Sequence, residues 1–202
     1  MGTDSGFGPP DERTVHLCID MQRLFAPGGP WAAPWMDSVL PVAAGIAQRS
    51  PERTVFTRFI PPLEPEDMPG AWQHYYRRWR HITRDRLPAR MLDLAPPLDR
   101  YVPPAAIVDK ATYSAFGTPA LDRLLQAKNV DGLIVTGAET DSCVLATVLG
   151  AVDRGYRVYL VTDAVCSSSD EGHDALMGLY RRRYSQQIQT LSAAEVIESW
   201  RL

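Results

Sequence analysis

Cysteine is scarce in this chain, with three in 202 residues: Cys18, Cys143 and Cys166. An odd number at wide spacing gives no disulfide framework, so reduced thiols in a cytoplasmic setting are expected. Long apolar runs are lacking as well. None approaches the roughly 18 residues that cross a bilayer, and the opening MGTDSGFGPPDER has no apolar signal-type stretch. Gly6 also breaks the myristoylation pattern. Neither charge sign dominates: 21 Lys and Arg stand against 24 Asp and Glu, a net charge of −3. That balance gives no support to a nucleic-acid partner or an anionic membrane surface. Repeats and low-complexity segments are missing too. Lysine is the scarcest charge, since only Lys110 and Lys128 interrupt a basic set of arginines. Lys128 ends a predicted helix and reads as a solvated terminus. Lys110 has no such simple role.

What is present is an ordinary core composition, 45% apolar and 22% charged, at a length suited to one domain. Residues 1–13, rich in Gly, Pro and charge, read as a disordered tail, leaving 14–202 as a single domain. Strands are predicted at 14–19, 53–59, 106–109, 132–136, 157–162 and 187–191. Helices are predicted at 37–49 behind an Asp37 cap, at 119–128 behind Thr118 with Pro119 in the first turn, at 142–154 and at 172–184. Ser192 and Glu195 form a capping box that opens a last helix. This alternation predicts an α/β fold, a three-layer α/β/α sandwich around a six-stranded, mostly parallel, Rossmann-like sheet.

Residues 60–105 break the rhythm as a long loop insertion that carries nine of the 17 prolines. Only 71–82 looks helical there, and it is dense in Trp, Tyr, Arg and His. Such a segment either seals the sheet edge or a subunit contact, or forms a pocket wall or lid.

In open α/β sheets, ligands bind beyond the carboxyl ends of the strands. That rule selects Asp20, Arg58-Phe59, Asp109-Lys110, Gly137 to Thr140, and Asp163. Cys143 falls in the first turn of a predicted helix, where free N–H groups and the helix dipole favour a thiolate. A carboxylate, an ammonium and a thiol thus converge on one edge, the content of a nucleophile with a base and an orienting charge. Cys18 reads as buried packing. Cys166 is a rival thiol without a helix start or partner, Asp163 a loop cap, and Asp141 a cap for the nucleophile helix.

Three blocks carry a family resemblance: LCIDMQRLFAPGGPW (17–31), VDKATYSAFGTPALDRLL (108–125) and VTGAETDSCVLATVLGAVDRGYRVYLVTDA (135–164). In this order they resemble the isochorismatase-like cysteine hydrolases, the superfamily of nicotinamidases and N-carbamoylsarcosine amidohydrolase. The resemblance implies a catalytic triad of Asp20, Lys110 and Cys143. It also implies a cis peptide at Ala138–Glu139, which would turn the Glu139 N–H beside that of Cys143 to form an oxyanion hole. The implied activity is hydrolysis of a C–N bond in a small amide or carbamoyl compound through a thioester. Two alternatives stay open: vinyl-ether cleavage of the isochorismatase type, and a binding member without activity. Nicotinamidases carry a D-x-H metal motif after the second strand. Thr57-Arg58-Phe59 stands there in this chain, and His16, His74, His81 and His173 have no ligand spacing, so neither a metal nor any other cofactor is expected. Arg58 reads either as a surface ion pair or as the grip on a substrate carboxylate, in the second case flanked by Phe25, Trp31, Trp79, Tyr113 and Phe116. Family habit implies a homodimer or homotetramer, for which the Trp-Arg-rich loop and Trp200 are candidate contact surface.

Overall fold

The register of six parallel strands decides which side chains reach one another. The computed structural model describes residues 7–202. Its strands are β1 (Thr14–Ile19), β2 (Thr54–Phe59), β3 (Ala106–Lys110), β4 (Gly132–Ala138), β5 (Arg157–Cys166) and β6 (Ile188–Leu191). They form one sheet in the order β3-β2-β1-β4-β5-β6, parallel at every pairing. The chain order reverses between β1 and β4, which makes their carboxyl ends the natural site for a ligand.

The helices are α1 (Met36–Arg49), α2 (Ala71–Arg78), α3 (Pro119–Ala127), α4 (Leu145–Asp153), α5 (Asp170–Arg182) and α6 (Ala193–Ser199). Side chains alternate across each strand, and the two faces of the sheet separate accordingly. Ile134, Tyr159 and Val161 pack with Ile46 of α1 and Val196 of α6. Leu133, Val135, Val158 and Leu160 belong to the other cluster, with Leu121 of α3 and Val148 of α4. All six residues of β1 are buried, as a central parallel strand requires. His16 is neutral there: burial lowers its pKa to about 3, and its Nε2 meets Thr136 Oγ1 at 2.8 Å.

Several expectations change in detail. Trp35, not Asp37, precedes α1, and Asp37 sits in its first turn. β5 runs to Cys166 because its pairing with β4 shifts register between Val135 and Gly137. Asp163 accepts the Ala193 N–H at 2.8 Å, so it does act as a cap, at the start of α6. The predicted helix at 71–82 divides into α2 and a tight turn at Arg80–Ile82. Residues 1–6 of the predicted tail lie outside the described residues. Residues 7–13 are tied down rather than loose, since the Phe7 ring packs edge-on against Tyr159 and Asp11 pairs with Arg157 at 2.9 Å. Trp200 is not exposed contact surface. It is buried, and its Nε1–H donates to the Asp11 carbonyl at 3.2 Å.

The segment 60–105 is stitched to the carboxyl edge by main-chain bonds such as Ala95 N–H to the Met21 carbonyl at 2.8 Å, and by one side chain. Gln22, just past β1, donates to the carbonyls of Phe59 (3.1 Å) and Leu92 (2.9 Å) and accepts the Phe59 N–H (2.7 Å). Tyr76, Ile82, Leu94 and Leu98 from this segment are buried in the core.

β1 and β4 approach most closely at Gly137, which has φ +118°, and a Cβ there would lie 2.1 Å from the Ile19 carbonyl oxygen. Gly137→Ala is therefore expected to part the two strands and cost about 2–4 kcal/mol, from strain plus overpacking. Denaturant unfolding checks this, and a loss below about 0.5 kcal/mol would show that β1 and β4 can separate freely.

Candidate active site

Asp20, Lys110 and Cys143 meet at the carboxyl edge of the sheet. Lys110 ends β3 and pairs in register with Phe59 of β2. Its side chain crosses the Phe59 ring, with Nζ 4.9 Å from the centroid, and reaches Asp20 Oδ2 at 2.6 Å. The same Nζ lies 3.4 Å from Cys143 Sγ and donates to the Thr112 carbonyl at 3.0 Å. Asp20 and Cys143 thus share one ammonium between them. Thr57 holds the other carboxylate oxygen, donating from Oγ1 to Oδ1 at 2.6 Å and accepting the Asp20 N–H at 3.1 Å. Asp20 itself has φ +50°, a left-handed conformation that few residues other than Gly adopt and that is often found at functional sites. Cys143 sits in a single π-type turn, Thr140–Val144, ahead of α4. Such turns recur at functional sites.

The carboxylate and ammonium side chains are fully buried. Burial disfavours the Lys110 ammonium, but the Asp20 charge and then Cys143 outweigh it and hold the lysine above its ordinary range. Cys143 departs from expectation. Burial first, then the Asp20 charge, pushes its thiol well up, against the opposing pull of Lys110. The resting group is a thiol with a base beside it. Position ahead of a helix does not outweigh removal from water. Cys18 and Cys166 are likewise pushed up to about 12 by burial, and Cys166 lies off this site, against the different cavity that Trp35 and His173 line.

A cavity of about 330 Å³ opens over Cys143, walled by Phe25, Trp31, Phe59, Tyr75, Trp79 and Tyr113, with Glu139, Ser142 and Ser168. Tyr75 and Trp79 identify α2 and its following turn as pocket wall. The Ala138–Glu139 peptide is cis, and Glu139 and Cys143 both border the cavity. Arg58 does not face it. Strand alternation puts Thr57 and Phe59 on the site side and Arg58 on the opposite one, where it forms a two-pronged pair with Asp109 at 2.8 Å for each bond. Phe116 is also elsewhere, buried against Tyr156 with a ring-centroid distance of 6.0 Å and covered by the Arg154 guanidinium at 4.4 Å. Asp141 does not cap the turn but accepts the Ser167 hydroxyl at 2.6 Å.

A family model for the isochorismatase domain matches residues 14–193. The chain belongs to the isochorismatase family. Maleamate amidohydrolase of Pseudomonas putida is 29% identical over 182 residues, covering 86% of this chain and 80% of that protein. Nicotinamidase of Escherichia coli is 30% identical over 176 residues, covering 73% and 80%. In fold, a cysteine hydrolase from Pseudomonas syringae pv. phaseolicola matches with a TM-score of 0.79 at 24% identity, covering 93% of this chain and 92% of that one.

Within this isochorismatase-family site, sequence reasoning gives no role to Thr57, Tyr75, Ser142 and Ser168, and selects Phe59 only as a strand end. Thr57 and Phe59 carry a signal, since they alternate with Arg58 in a strand whose end faces the ligand edge. Tyr75 and Ser168 carry none, because their placement depends on the path of a loop. A metal ion finds no fit where nicotinamidases hold theirs: Thr57 is engaged by Asp20 and Arg58 by Asp109. Among the described residues, no three His, Cys, Asp or Glu side chains gather as ligands. No helix among the described residues is long and apolar enough to cross a membrane.

The opposed effects of Asp20 and Lys110 on the thiol give a signed prediction. Asp20→Asn removes the charge that raises the Cys143 pKa and makes the sulfur the anion that the buried Lys110 can pair with. The thiol of the variant should titrate at lower pH than in the wild type, read as thiolate absorbance near 240 nm against a Cys143→Ala control. An unchanged or higher titration point would mean that Asp20 does not govern the sulfur.

Proposed function

We propose that the protein is a cysteine hydrolase that cleaves the C–N bond of a small amide or carbamoyl compound through a thioester on Cys143. The observation carrying this reading is the buried Asp20–Lys110 pair beside a thiol at the floor of an aromatic cavity. The names of the relatives, an amidohydrolase and a nicotinamidase, agree with it.

Asp20 Oδ2 faces the Lys110 ammonium at 2.6 Å and keeps a further lone pair for the thiol proton. Asp20 accepts that proton as the sulfur attacks the carbonyl carbon. Lys110, 3.4 Å from the sulfur, offsets the negative charge as it forms. The oxygen of the tetrahedral intermediate is held by the backbone N–H groups of Glu139 and Cys143. Asp20 passes the proton to the departing nitrogen, the C–N bond breaks, and a thioester remains. Water then gives a proton to Asp20 and attacks the same carbonyl. The C–S bond breaks, the sulfur takes the proton back, and the acid leaves. Lysine suits the central position because a compact ammonium can touch base and sulfur together, where a planar guanidinium would need more room.

A panel of small primary amides and carbamoyl compounds provides the test. Replacing Cys143 by Ala should lower kcat by roughly 10⁴-fold or more on any compound the wild type turns over. Turnover that survives would exclude sulfur as the nucleophile and leave direct attack by a water whose proton Asp20 accepts.

A further inference from the structure

Among the described residues, six aromatic side chains and a single carboxylate line the cavity over Cys143, and no Lys, Arg or His does. Trp31 is the hub of the aromatic wall. Its ring centroid lies 5.9 Å from Phe59 and Trp79, 6.1 Å from Phe25 and 6.2 Å from Tyr75. Three of the four rings are turned from Trp31 by 55° or more, so they form an angled box rather than a stack. The faces of such rings carry the negative part of the quadrupole.

Charge points the same way. Lys110 beneath the floor is committed to Asp20, and burial keeps Cys143 a neutral thiol, so these three groups sum to zero. Glu139 is the charge that remains. Its Oε1 accepts the Ser168 N–H at 3.0 Å, which fixes the carboxylate at the rim. Burial above all raises the pKa of the Tyr75 and Tyr113 phenols and keeps them protonated. Outside it stand Arg78, 5.8 Å from the Trp79 centroid, and Arg58, which Asp109 neutralises on the opposite face. Neither lines the cavity.

We propose that the substrate is a cationic amide or carbamoyl compound, whose ammonium-type group sits in the box of Trp31, Tyr75 and Trp79 against the Glu139 carboxylate. A quaternary or alkylated ammonium suits the site best, since ring faces replace its weak hydration at small cost. A carboxylate-bearing substrate would meet Glu139 and find no partner, which reverses the anionic preference expected from Arg58.

The identity of the scissile bond rests on the function proposed above, but the charge preference is measured apart from it. Cys143→Ala protein, which leaves ligands intact, is titrated with three amides by calorimetry or tryptophan fluorescence. They are betaine amide, its uncharged carbon isostere 3,3-dimethylbutanamide, and the anionic malonamate. Betaine amide should bind on the order of tenfold tighter than the isostere, with malonamate weaker than both. In the Cys143→Ala/Glu139→Gln protein that ratio should fall to about threefold or less. Equal binding of betaine amide and the isostere, or tighter binding of malonamate, overturns the proposal. The ranking of the three amides on the Cys143→Ala protein decides this alone, even where the Glu139→Gln change prevents folding. Absence of turnover on every amide by the wild type would instead count against the hydrolase reading alone.

Discussion

The ion pair between Asp20 and Lys110 is the constraint around which the rest of this edge is arranged. Two opposite charges removed from water are tolerated only with short contact and further hydrogen bonds, and removing one partner would strand the other. Both conditions are met, by the 2.6 Å pairing, by Thr57 on the second carboxylate oxygen and by the Thr112 carbonyl on the ammonium. Each contact comes from a different strand end or loop. β1, β2 and β3 must therefore hold their relative register for the pair to exist. Gln22 serves the same requirement by bonding the ends of β1 and β2 and the segment behind them.

Burial that makes the pair demanding also makes it useful. In the proposed mechanism the buried thiol stays protonated until Asp20 takes its proton. The lysine touches both acid and sulfur, so transfer of the proton moves charge between two groups it already stabilises. The overlying cavity adds aromatic surface and one acidic rim without disturbing that neutral floor. Binding preference and bond cleavage are thus carried by separate groups, save that Glu139 contributes its side chain to one and, in the proposed mechanism, its backbone to the other.

Much of this is legible in the sequence. Apolar strands alternating with capped helices give the layer architecture, and the rule of carboxyl-end ligand sites brings Asp20, Lys110 and Cys143 to one edge. Sequence reasoning fails where geometry finer than spacing decides. Arg58 lies one residue from Thr57 and Phe59, and the pleat alone sends it to the far face, where Asp109 is its register partner. Phe116 stands in a matching block, yet the turn after β3 places it under α4 instead of in the cavity. The helix position of the Cys143 thiol is a local feature, whereas the burial that sets its protonation is a tertiary one. Asp11 and Trp200 show the same limit, since a tail of polar and Gly-Pro composition is fixed by partners that lie far along the chain.

The central claim is that the sulfur attacks because Asp20, held by Lys110, removes its proton. Acid-quenched intact-protein mass spectrometry during turnover of a reactive amide tests it most directly. The wild type should gain the mass of the acyl group on the peptide that contains Cys143, and Asp20→Asn should show none under the same conditions. An adduct that forms equally in the variant, or one located on a different residue, would contradict the account.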